Sequence, residues 1–69
     1  MGMNVAKVIE IVGTSDKSWA DAADIAVRSA SKTLHNIKGV QVSAMTAHVD
    51  QGKIASYKTT VKVAFGIED

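Results

Sequence analysis

The chain opens with an apolar run rich in β-branched residues, NVAKVIEIV at 4–12. Such a run predicts a strand. Val5, Ile9 and Ile11 fall on one parity, Val8 and Val12 on the other, so both faces are expected to be covered. Gly13 is read as the break. From Trp19 the period changes: apolar positions 19, 22, 23, 26, 30, 33, 34 and 37 recur at helical spacing. They predict a helix near 18–36. Most of that stripe is alanine (Ala22, Ala23, Ala26, Ala30), thin enough for a helix axis to sit close to a sheet. Asp21 and Asp24 come early and Arg28, Lys32 and His35 late, an order that suits the helix dipole. Asn36 or Gly39 is expected to end the helix. VQVSAMTAHV predicts a second strand near 40–50, and DQGK at 50–53 a turn with Gly52 at positive φ. IASYKTTVKVAFGI predicts a third strand near 53–67. In it Tyr57, Thr59, Val61, Val63, Phe65 and Ile67 alternate with Ser56, Lys58, Thr60, Lys62 and Ala64, one set for each face. The order is β-α-β-β, an α+β arrangement, read as one domain over 1–69.

Size changes this picture. A chain of 69 residues buries only about 60% of the surface its unfolded form exposes. Small domains are usually rescued by disulfides, metals or oligomerisation, and there is no cysteine. One helix covers one sheet face and leaves the other face and two edges open. A homo-oligomer is therefore expected. The net charge of +1, with scattered lysines, gives no basic patch for nucleic acid. No apolar run approaches the length of a membrane span, and MGMNVAKV does not read as a signal peptide. The lack of cysteine fits a cytoplasmic location.

The stretch GTSDKSWADAA at 13–23 joins a strand to a helix, a place where proteins often cradle phosphate. A P-loop needs a second glycine directly before its lysine, and Lys17 has none. Cap residues explain the stretch: Ser15, Asp16 or Ser18 can cap the helix, and Ser18 with Asp21 forms a capping-box-like pair, although Glu is the usual partner.

KVIEIVGTS, a capped helix and a long hairpin closing on VKVAFGIED together resemble the dodecins over nearly the whole chain. The resemblance implies a β-α-β-β protomer whose antiparallel sheet wraps around the helix. Twelve copies close into a hollow shell. In flavin-binding members, paired isoalloxazines stack between tryptophans of adjacent subunits, and the proteins store or buffer FMN or riboflavin rather than catalyse a reaction. Aligned on Val42, Gly39 stands where the stacking tryptophan is expected. Lys58 replaces the glutamine that bonds the flavin ring. Thr46 and Gly66 stand where some members carry arginines. These four positions are the candidate ligand site, with its residue types changed. The tryptophan at Trp19 looks like that of a subset without the flavin sandwich, some of them described as calcium-binding. Trp19 and Tyr57 are assigned to core or subunit contact, with a relocated stacking wall as the other reading of Trp19. Gly39 is open to two readings, a gap for a different ligand or a helix-to-strand turn residue.

The remaining chemistry is sparse. His35 and His48 fall on different elements without ligand spacing, and His48 beside Asp50 reads as a solvated hairpin end. None of Glu10, Asp16, Asp21, Asp24, Asp50, Glu68 and Asp69 builds an EF-hand loop, although converging subunits could supply a calcium site. No serine has an elbow or a partnered histidine, so no enzyme is expected. A ligand-buffering shell and a purely structural assembly remain.

Overall fold

A computed structural model describes residues 5–67, apart from the side chain of Ile67. The expected first strand residue, Asn4, lies outside the described residues, as do Glu68 and Asp69. The elements are β1 (Val5–Ser15), α1 (Trp19–Ser31), β2 (Ile37–Asp50) and β3 (Lys53–Ile67). The sheet is antiparallel with order β1-β3-β2. The β-α-β-β order and single three-stranded antiparallel sheet are as expected; three boundaries differ.

Gly13 does not end β1. The strand continues through Gly13 and Thr14 to Ser15, which pairs with Tyr57. Glycine serves close approach here: a Cβ at Gly13 would collide with the Ala22 carbonyl and come within 3.0 Å of the Ala26 Cβ. The alanine stripe sits on the other side of that contact, with Ala22, Ala26 and Ala30 all buried. The thin helix face and the bare strand position together let α1 lie against the sheet.

The helix stops at Ser31, not near residue 36. Its last turn folds onto itself: Leu34 N–H donates to the Ala30 carbonyl at 2.8 Å and Thr33 N–H to the same oxygen at 3.1 Å. Ser31 Oγ donates back to the Val27 carbonyl at 2.9 Å, the kind of side-chain competition that weakens a helix end. Asn36 then takes φ 61° and turns the chain into β2, which begins at Ile37 rather than Val40. Thr33, Leu34 and Ile37 thus keep helical spacing without being helical.

The hairpin turn is as expected, with one addition. Gln51 and Gly52 both have positive φ, 52° and 76°, between the paired Asp50 and Lys53. That is the double left-handed geometry that matches strand twist.

The core is thin. Among the described residues the buried hydrophobics are Ala22, Ala26, Ala30, Val61 and Val63, with Ile9, Ile11, Ala23 and Ile37 packed at its edge. The helix lies over β1 and β3 and barely reaches β2.

Candidate functional site

The helix N-terminus is closed by its own residues. Ser18 is the N-cap and accepts from Asp21 N–H at 2.9 Å. The Asp21 carboxylate does not complete a capping box; it accepts from Ser15 Oγ at 2.7 Å. Ser15 Oγ in turn accepts from Lys17 N–H at 2.9 Å. The stretch that resembled a phosphate loop is a self-satisfied cap.

Trp19 follows this cap and anchors the helix to the hairpin. Its Nε1–H donates to the Thr46 carbonyl at 2.7 Å. Its ring meets Tyr57 edge-on, with centroids 4.8 Å apart and planes at 77°. Its own carbonyl accepts from Thr59 Oγ1 at 2.7 Å, and Thr59 is buried. With its N–H occupied and its edge against Tyr57, Trp19 is a structural clasp joining α1, β2 and β3.

The four positions of the candidate ligand site separate into two groups. Thr46 and Lys58 are cross-strand partners near the Trp19 clasp. Gly39 pairs with Ala64 and Gly66 with Ala6, toward the other end of the sheet. Lys58 and Gly66 stand eight positions apart on β3, about 26 Å of strand. One protomer therefore forms no single pocket from the four.

Gly39 is also not a helix-to-strand turn residue. It lies inside β2, beside a register shift between Ile37 and Gly39. A Cβ added there would have nothing within 4 Å, so no close approach requires glycine. Around it Val8, Val40, Gln41, Lys62 and Ala64 line an open depression in the sheet. Gly66 is different: its N–H donates to the Asn36 carbonyl at 2.9 Å, and a Cβ there would lie 3.2 Å from Lys38 Cε.

The face of the sheet away from the helix carries rows set by the register. Val8, Ala64 and Gly39 form one; Glu10, Lys62 and Gln41 the next; Val12, Thr60 and Ala44 the next; Thr14, Lys58 and Thr46 the last. Glu10 reaches across β3, and its Oε2 accepts from Ser43 Oγ at 3.3 Å. Ser43 is the extra residue at the shift between Val42 and Ala44. Sequence reading missed this polar contact, because no pattern announces a bulge.

His35 and His48 are both exposed, His35 in the connection between α1 and β2 rather than on an element, and His48 on β2. Among the described residues no three His, Cys, Asp or Glu side chains come together to hold a metal ion. No helix among them is long and apolar enough to cross a membrane.

A short helix clasped over a three-stranded antiparallel sheet, with the outer sheet face bare in the single chain, defines a small α+β protein. The dodecin family profile matches residues 5–68: the chain belongs to the dodecin family. It is 36% identical over 63 residues to a calcium dodecin of Mycobacterium tuberculosis, covering 91% of this chain and 89% of the relative. A dodecin of Thermus thermophilus is 28% identical over 65 residues, covering 94% of each. The solved dodecin of Streptomyces coelicolor superposes with a TM-score of 0.94 at 29% identity, over 100% of this chain and 99% of that one. The crystal structure of the calcium dodecin gives 0.81 at 38% identity, over 93% and 91%. Backbone and sequence thus favour different relatives.

Proposed function

We propose that copies of this chain close into a hollow shell, twelve being the number the family resemblance implies, that holds a small ligand without the family's stacked-flavin mode. The observation that supports assembly is the imbalance of apolar surface. Val5, Val8, Val12, Ile25, Val40, Val42, Met45, Val49 and Ile54 are exposed, at 40–59%. Against them stand two fully buried valines and three alanines. Exposed apolar area on that scale marks an interaction surface. In this reading the protein has no catalytic role and works in the cytoplasm.

The argument against stacked flavin rests on residue types. The single tryptophan, Trp19, and the single arginine, Arg28, both lie on α1, so no strand offers a stacking ring of that kind or an arginine for phosphate. Gly39 offers no ring, and an aromatic stack is worth about 0.5–1.5 kcal/mol beyond the area it buries. Lys58 presents only donors, whereas glutamine presents a donor and an acceptor. Titration with FMN or riboflavin is expected to leave flavin fluorescence unquenched. Tight quenching at one flavin per subunit overturns this reading. Gly39→Trp combined with Lys58→Gln is expected to raise flavin affinity.

A second reading, an ion-binding shell, is favoured by the 36% identity to the calcium dodecin. It requires carboxylates or carbonyls from more than one copy, since calcium takes six to eight oxygens. Calorimetry with calcium on the assembled protein tests it: saturable heat supports an ion site, and no heat removes it.

A further inference from the structure

Among the described residues, Gly13 leaves room for α1, Gly52 takes a positive φ and Gly66 faces Lys38 Cε. Gly39 answers to nothing in its own chain. Its φ is not left-handed, and a Cβ there would meet no atom within 4 Å. Glycine weakens a strand interior. Where neither conformation nor packing demands it, it marks a place that a ligand or another backbone approaches. The depression around it is lined by Val8, Val40, Gln41, Lys62 and Ala64. Its apolar walls are open to solvent, with Val8 57% and Val40 44% exposed.

The next row of the sheet carries both signs of charge. Glu10 and Lys62 are cross-strand partners, and opposite charges so placed normally attract. Among the described residues, however, no ion pair joins them. Glu10 Oε2 instead accepts from Ser43 Oγ at a long 3.3 Å, and the Lys62 ammonium bonds to no described residue. The carboxylate keeps free lone pairs and the ammonium keeps its three donors. Gln41, the partner of Lys62 on β2, adds an amide donor and acceptor. A simple anion on Lys62 would meet Glu10, and a simple cation on Glu10 would meet Lys62. The row suits a ligand that carries both charges itself.

We infer that the depression binds a free α-amino acid with a branched apolar side chain, such as leucine. Glu10 receives its ammonium, Lys62 and Gln41 receive its carboxylate, and its side chain lies over Gly39 and Ala64 against Val8. Cross-strand partners stand about 5 Å apart, a gap that one carbon bearing an ammonium and a carboxylate can span. Any larger residue at position 39 would put its own side chain in the ligand's place. This rests on the reading above that the protein holds a small non-flavin ligand, and names that ligand's chemistry. One chain supplies every contact, so binding does not require assembly.

Calorimetry with L-leucine as the probe tests the site. 4-Methylpentanoate is the same molecule without the ammonium, and 3-methylbutylamine is the same molecule without the carboxylate. Saturable heat at one leucine per chain is expected, with each analogue weaker by at least about tenfold, as the loss of one charged contact implies. Gly39→Leu builds into open space, so circular dichroism is expected to be unchanged and leucine binding lost. Lys62→Met alters an exposed side chain. It is expected to weaken leucine by at least about tenfold and to leave 3-methylbutylamine unaffected. No saturable heat with leucine at millimolar concentration, or binding that survives Gly39→Leu, overturns the proposal. So does 4-methylpentanoate binding as tightly as leucine, which makes the depression a plain anion site. Native mass spectrometry of the same sample keeps the two readings apart. An assembled protein that does not bind leucine overturns only this proposal; a single chain that binds leucine supports it and overturns only the shell.

Discussion

Val61 and Val42 are cross-strand partners on the same face of one sheet. Val61 is fully buried and Val42 is 48% exposed. The same holds along the two strands: Val63 is buried beside Val40 at 44%, and Thr59 beside Met45 at 59%. The cause is width. A helix with its side chains is about 10 Å across and strands lie about 4.8 Å apart, so one helix covers two strands. In this fold they are β1 and β3. The covered half is a folded core, and the β2 half, although chemically similar, is surface in a single chain. Residue type alone does not separate them; position relative to the helix does.

Substitutions on the two sides should therefore behave differently. The largest effect is expected for Gly13→Val, whose side chain would strike the Ala22 carbonyl and Ala26. Overpacking of this kind costs about 3 kcal/mol, and urea denaturation should show it at every protein concentration. An unchanged midpoint would mean that α1 does not lie against β1. Thr59→Val keeps the buried shape but removes the hydrogen bond to the Trp19 carbonyl. A loss of about 1 kcal/mol is expected, read in the same experiment. Ser18→Ala removes the cap on Asp21 N–H and should cost about 1 kcal/mol; helical circular dichroism on heating is the check. Val42→Ser is expected to cost less than about 0.5 kcal/mol in dilute protein, as a surface change does. Its penalty should grow as concentration rises, because assembly stabilises by mass action. If the Val42→Ser penalty is the same at all concentrations, β2 is not an assembly face and the contrast fails.

Much of this was legible in the chain. Alternation in 53–67 placed Thr59, Val61 and Val63 on one face, which is the face the structure buries, and the alanine stripe gave the close helix–sheet contact. Two of the differences share one source. Gly13 was read as punctuation, although its role is to leave room for α1, and that need exists only once the helix is in place. Thr33, Leu34 and Ile37 continued the helical period, yet the local bonds of Ser31 and Thr33 to the preceding turn end the helix sooner. Periodicity reports which residues prefer burial; it does not report which backbone carries them there. The separation of the candidate ligand positions was legible too, since Lys58 and Gly66 lie far apart on one strand; the pairing of Thr46 with Lys58 and of Gly39 with Ala64 depends on three shifts in the β2–β3 ladder, which no spacing in the sequence displays.

The strand order β1-β3-β2 has a kinetic consequence. β3 is the last of the three to be synthesised, and it is the one to which both others pair. A nascent chain that has emerged through β2 holds two strands with no partner between them and a helix with half a floor. The β2–β3 hairpin closes a loop of two residues, whereas β1 must find β3 across the whole intervening chain, a search that slows folding as contacts become less local. The sheet is therefore expected to form from the hairpin toward β1, with Ser15–Tyr57 among the first rows to zip. Until that step is complete the apolar faces of β1 and β3 are bare at once, and this interval, rather than the finished protomer, is when the chain is most exposed to mispairing.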